Sequence, residues 1–257
     1  MFIPLQDTNK LVNIHLQYMT LLIIALNVVI WVAFFAPNLE DVSGAQQLYY
    51  TYGFIPAVEF GTLELPPELT QLPPYMTFVS YAFLHGEFMH LAGNMLFLWV
   101  FGDNVEDSMG HLKFLIFYFL CAASGALFHG LISLHSEAPL VGASGAGAGL
   151  VGAYLILHPK VRIWVLALGS IPLKISALWL LTSWIVYQIG SLILFPDSEV
   201  SWAAHIGGFV AGLIFLPIFK KSHVKLFDQD LQPSNVSKEP EQLMKENTKP
   251  VKWGREG

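Results

Sequence analysis

The sequence predicts an all-α membrane protein, a bundle of six membrane-crossing helices with a long first outer loop partly embedded in the bilayer. Three observations predict it. Of the 257 residues, 54% are hydrophobic and only 12% charged, about half the roughly 25% charge of an ordinary soluble chain. The apolar residues gather in six runs, near Leu16–Ala36, Phe83–Phe101, Leu112–Leu134, Ser144–His158, Ile171–Phe195 and Trp202–Phe219, on the scale of the ~20 residues a helix needs to cross hydrocarbon. All 13 Lys and Arg residues lie within residues 1–15, in the turns around Gly102–Lys113 and His158–Lys174, or after Phe219.

The elements follow in order. Residues 1–15 are polar enough to form a cytoplasmic N-terminal segment, and the membrane domain spans 16–219. The first run is too long for the apolar core of a secretory signal and reads as the first helix. The connection from Pro37 to Ser80 is rich in aromatics, leucine and proline, with Pro66-Pro67 and Pro73-Pro74. Loops beyond about 12–15 residues are rarely idle, and this composition suits a folded segment resting in the outer leaflet. The fourth run is short and rich in glycine and alanine, as in a helix packed among others rather than against lipid. The start of the fifth is open, because Val161–Gly169 either lengthens the preceding loop or begins the helix early. Residues 220–257 are polar with mixed charge and read as a disordered cytoplasmic tail.

With the N-terminus inside, every Lys and Arg falls on the cytoplasmic side, while the outer segments carry Glu40, Asp41, Glu59, Glu64, Glu68, Glu137, Asp197 and Glu199. That is the positive-inside pattern. The weak point is the first inner turn, where Asp103, Glu106 and Asp107 outnumber Lys113. Both termini are therefore expected in the cytoplasm. The absence of a targeting peptide favours a bacterial inner membrane. One cysteine, Cys121, excludes an internal disulfide framework and reads as a packing thiol. Neither a cofactor, a metal nor nucleic acid is expected; the lipid bilayer is.

Polar residues inside a membrane are functional hypotheses by default. In this topology the second, fourth and sixth helices all run inwards. His90 and Asn94 then lie in the outer half of the second, Ser144 opens the fourth, and His205 lies near the start of the sixth. His90 and Asn94, four residues apart, share one helix face. His205, Gly208 and Gly212 share another, and Gly208-x-x-x-Gly212 lets helices approach closely. Gly145, Gly149 and Gly152 on the fourth helix face it. Ser144 is a weak nucleophile until a base such as His205 takes its proton. An oxyanion formed there would meet a helix N-terminus, with Asn94 and His90 as side-chain donors. No acid is placed to orient His205, so the expectation is a dyad. His85 falls round the helix or in the preceding loop and reads as a structural tether.

These residues resemble the motifs of the rhomboid family of intramembrane serine proteases. Gly142-Ala143-Ser144-Gly145 looks like its G-x-S-G. His85, His90 and Asn94 match H-x-x-x-x-H-x-x-x-N on the second helix. Ala204-His205 through Gly208 and Gly212 resembles A-H-x-x-G-x-x-x-G on the sixth. The resemblance covers roughly residues 12–219. It implies a six-helix bundle hydrolysing single-span or polytopic transmembrane proteins near the outer face. It also implies Ser144 as nucleophile, His205 as base, and His90 and Asn94 at the oxyanion. Two departures stand out. Many members carry Trp-Arg where this chain has Pro74-Tyr75-Met76-Thr77, so loop docking is expected to differ. Ala148 replaces an aromatic that packs on the histidine, leaving His205 less firmly held or braced by another ring. His129, Asn27, Tyr187 and Gln188 read as packing groups, with Gln188, Trp179 and Trp184 also open to lining a substrate route. The rival readings are a catalytically weak client-binding relative, a transporter, and a zinc site on His85, His90 and His205. The spacing of the first two splays them, unlike a zinc helix.

Overall fold

The computed structural model describes residues 2–36, 42–167, 169–196, 198 and 200–227. Glu40, Asp41, Asp197, Glu199 and residues 228–257 of the expected tail lie outside the described residues. Six long helices correspond to the six apolar runs: α1 (Tyr18–Ile30, continued by a π turn over Trp31–Phe35), α5 (Phe88–Met109), α6 (His111–Ile132), α7 (Ser144–Leu157), α8 (Ala177–Leu194) and α9 (Trp202–Phe219). Among the described residues, four of these (α1 with its π turn, α6, α8 and α9) are long and apolar enough to cross a membrane. α5 is as long as α6 but ends in Asp103, Glu106 and Asp107. α7 has only 14 residues, about 21 Å of rise. It is packed by α5, α6, α8 and α9, and every residue from Gly145 to Tyr154 is buried. A helix wrapped on all sides has no need to reach both interfaces.

The first connection is folded, as its composition predicts: α2 (Val42–Tyr52), the single turn α3 (Pro56–Glu59) and α4 (Pro74–Ser80). In place of Trp-Arg, Thr77 donates to the Glu59 carboxylate and Ser80 Oγ to the Tyr52 carbonyl at 2.6 Å. A cavity of about 350 Å3 in this connection is lined by residues including Tyr50, Glu59 and Thr77, but not by Ser144.

The bundle carries an addition that the all-helical expectation lacks. Three antiparallel strands, β1 (Phe2–Asp7), β2 (Arg162–Ala167) and β3 (Ile171–Ser176), form a sheet in the order β1-β2-β3. The open stretch before the fifth helix is thus a hairpin, and α8 begins at Ala177 rather than Ile171. Ile163, Val165 and Ala167 alternate inward while Arg162 and Trp164 face out, the period-two pattern of a half-buried strand. Lys174 lies over the Trp164 ring at 5.5 Å.

The acidic end of α5 explains the one weak point in the charge pattern. Glu106 is fully buried and accepts from the backbone of Met19 and Thr20 and from Thr20 Oγ1. Those N–H groups belong to the first turn of α1, which has no carbonyl of its own to offer them, and a carboxylate there also meets the positive end of the helix dipole. Asp107 accepts from the backbone N–H groups of Val12, Asn13 and Ile14. These acids anchor the N-terminal segment; they are not loop charges competing with Lys113. Asp103 lies past the apolar run. Burial, aided by Asp7, pushes its carboxyl up to about 7. The folded state therefore favours the neutral acid, and that contribution fades as pH rises from the unfolded value of 3.8 through about 7. Asp103→Asn mimics the neutral acid. It should raise the thermal midpoint at pH 8 by several degrees, at about 2–4 °C per kcal/mol, with the gain vanishing near pH 4. A melt series from pH 4 to 8 checks this.

Candidate active site

The site is built where α7 begins. Phe54 and Leu140 form an isolated antiparallel bridge, and the Gly142 N–H donates to the Tyr81 carbonyl at 2.9 Å. The segment entering α7 is thereby tied to the folded first connection. Gly142 turns the chain with φ +112°, a conformation in which a side chain is strained. Ser144 is then the first residue of α7.

Glycine sets the distance to α9. A methyl group at Gly208 would collide with the Gly145 carbonyl, and one at Gly212 with the Gly149 carbonyl. Gly152 faces the Phe209 carbonyl, where an added Cβ would lie at 2.5 Å. The two backbones touch, so two short side chains can meet across them. Ser144 Oγ lies 2.8 Å from His205 Nε2, within the reach of a nucleophile–base pair. Both residues are half-buried.

The other ring nitrogen has a partner the sequence reading missed. His205 Nδ1 lies 2.7 Å from Oε1 of Gln188, a residue of α8 only 3% exposed. A carbonyl oxygen accepts, so Nδ1 carries the proton and the Nε2 lone pair faces the serine hydroxyl. The available signal was a lone amide within an apolar run. Two rings flank the imidazole: Trp184 of α8 with centroids 6.0 Å apart and Trp202 of α9 at 6.1 Å. They supply the aromatic bracing that Ala148 lacks. Trp202 stands three residues before His205 on the same helix, a spacing that could have marked it.

His90 and Asn94 come to the same place from α5. His90 Nε2 would lie 2.6 Å from a Cβ at Gly142, and Asn94 Nδ2 3.5 Å. Asn94 Nδ2 is buried with no hydrogen-bond partner, an orphan donor beside the serine loop. His85 precedes α5 rather than lying within it, which frees it from the helical spacing expected to turn it away. It is buried, its ring meets that of His90 edge-on at 5.1 Å, and its Nε2 accepts from the Ala143 N–H at 3.4 Å. Among the described residues no three His, Cys, Asp or Glu side chains converge as a metal-ligand set. Ser144, His205, His90, Asn94, His85 and Gly142 are thus gathered at one end of the bundle, with Gly145, Gly208 and Gly212 in the helix contact beneath them.

Comparison with known proteins places the chain in a family. A family model described as the rhomboid domain matches residues 73–222, more than half of the chain. The mitochondrial Rhomboid protein 1 of Saccharomyces cerevisiae is 28% identical over 192 residues, covering 66% of this chain and 52% of the yeast protein. RHOMBOID-like protein 5 of Arabidopsis thaliana is 34% identical, covering 52% of this chain and 40% of its own. Rhomboid protease GlpG of Serratia proteamaculans is 29% identical, covering 59% and 51%. The matches thus span about half the length of these curated relatives. With α5, α7 and α9 carrying the motif residues inside the matched region, this chain is an integral membrane protein that belongs to the rhomboid family.

Proposed function

We propose that the chain is an intramembrane serine endopeptidase that cleaves single-span or polytopic transmembrane proteins by a Ser144–His205 mechanism near the outer membrane face. The observation that carries the reading is the 2.8 Å approach of Ser144 Oγ to His205 Nε2 across helices held together by glycine. Ser144 Oγ attacks the scissile carbonyl carbon as its proton passes to Nε2. The oxyanion meets the Ser144 backbone N–H, the unpartnered Asn94 amide and His90. The imidazolium then gives its proton to the leaving amine, and an acyl-enzyme remains on Ser144. Water, activated by the same imidazole, releases the acid and restores the serine. A helical peptide hides its carbonyls, so the substrate must unwind near the cut.

We place the protein in a bacterial inner membrane, with both termini in the cytoplasm. The positions of all 13 Lys and Arg support that orientation. Relatives named as mitochondrial and chloroplastic make the compartment the part of this reading that cell fractionation tests.

Ser144→Ala should abolish cleavage of a single-span test substrate in proteoliposomes while the protein still folds; residual cutting by that variant sinks the nucleophile assignment. His205→Ala should do the same. A fluorophosphonate probe should label the wild type and not Ser144→Ala. Loss of one oxyanion donor costs roughly 10²–10³ in turnover, so Asn94→Ala should leave a slow but measurable rate. Gly142→Ala, whose methyl would press on His90 Nε2, should slow labelling without changing expression; an unchanged rate would show that the space beside Gly142 is not used.

A further inference from the structure

The contact made by His205 Nδ1 is a feature of the site that lies outside the three motifs. α8 is apolar along its length, with a mean hydropathy of 1.6. Its buried residues are Ala177, Leu180, Leu181, Gln188 and Ser191. A primary amide sealed into such a face costs about 1–3 kcal/mol unless its polar atoms are satisfied. The Gln188 carbonyl oxygen meets that condition through His205 Nδ1 at 2.7 Å. Trp184, one turn earlier on α8, stacks at a tilt against the same ring. α8 therefore reaches His205 with two adjacent side chains, while Ser144 reaches it from α7.

We propose that Gln188 is a positioning residue for the reaction, holding His205 in the one tautomer that can accept the Ser144 proton. The proposal rests on the serine-protease reading above. An imidazole has two neutral tautomers, and only the form protonated on Nδ1 leaves Nε2 free to act as base. In a serine triad a buried carboxylate selects that form. Here a neutral carbonyl oxygen does so, which avoids placing a full charge within hydrocarbon. Because Gln188 and Trp184 both belong to α8, the seating of that helix on α9 and the orientation of the base are coupled. Moving α8 away from α9 removes both contacts together.

The test compares Gln188→Met, which keeps the volume and loses the amide, with Gln188→Glu, which keeps the acceptor. Both are measured with the full chain in proteoliposomes, by cleavage of a single-span substrate and by fluorophosphonate labelling across pH. Beside Gln188, the groups facing His205 are Ser144 of α7, Trp184 of α8, Trp202 of α9 and His90 of α5; of these, His90 is the one ionisable side chain. Gln188→Met should lower kcat and the labelling rate by roughly 10- to 100-fold with KM within about twofold, less than the roughly 10⁴ lost with a triad carboxylate. Gln188→Glu should stay within about threefold of wild type at its own optimum. Its acid limb should move to higher pH by about one unit, because a carboxylate beside the ring stabilises the imidazolium. Wild-type turnover and pH profile in Gln188→Met would overturn the proposal. So would equal losses in both variants with the acid limb unmoved, the result of a packing role alone. Failure of the wild type to cleave or to be labelled would instead overturn the parent reading.

Discussion

Everything at the site depends on two helix backbones touching. A serine hydroxyl and an imidazole are short groups, and they meet at 2.8 Å only because α7 and α9 come closer than side chains would allow. Gly208 and Gly212 face the carbonyls of Gly145 and Gly149, with no room for a Cβ at either position. In hydrocarbon there is no hydrophobic force between helices, so close van der Waals contact supplies the association. The small residues that bind the helices are also what places the Ser144 hydroxyl against the His205 ring. Packing and chemistry cannot be varied separately here: an alanine at Gly208 would move Ser144 and His205 apart by moving their helices.

The opposite end of the bundle obeys the same economy of polar groups. Glu106 and Asp107 collect the backbone N–H groups of Met19, Thr20 and Val12 to Ile14, and Tyr154 donates to Asp7. These contacts fix α1 and the N-terminal segment against α5 and α7. β1 then extends that anchor to the hairpin that leads into α8. The end away from the chemistry thus holds the base of the helix that carries Gln188.

The bundle and much of the candidate site were legible because their signals are local. Apolar runs mark helices by length, and Ser144, His90, Asn94 and His205 stand out as polar groups where lipid is expected. Glycine spacing on the fourth and sixth runs foretold which helices would touch. What stayed hidden depended on partners distant in sequence. Val161–Gly169 is apolar on both strand faces save Arg162, so no alternation separated strand from helix, and its pairing with residues 2–7 has no local mark. The acids of the first inner turn entered the charge pattern only as a count against Lys113, and the partners of Glu106 and Asp107 are backbone N–H groups, which a charge count does not see. For His85 the spacing left two places open, round the helix or in the preceding loop, and only the start of α5 at Phe88 decides for the loop.

Gln188 shows the limit most clearly. An amide in an apolar helix is equally well explained by any neighbour able to pair with it, and its partner lies 17 residues away on another helix. Knowledge of the triad directs attention to an acid, and no acid is present at that position. The physical requirement is narrower: an acceptor for one N–H, fixed in place and buried. Water would supply that acceptor in an exposed site, and a carboxylate would supply it where its charge can be solvated. Within a bundle closed by lipid, a carboxamide meets the requirement without burying a charge. The chain's substitution of Trp184 and Trp202 for the aromatic missing at Ala148 follows the same logic, since what the ring needs is bracing, and either helix can provide it.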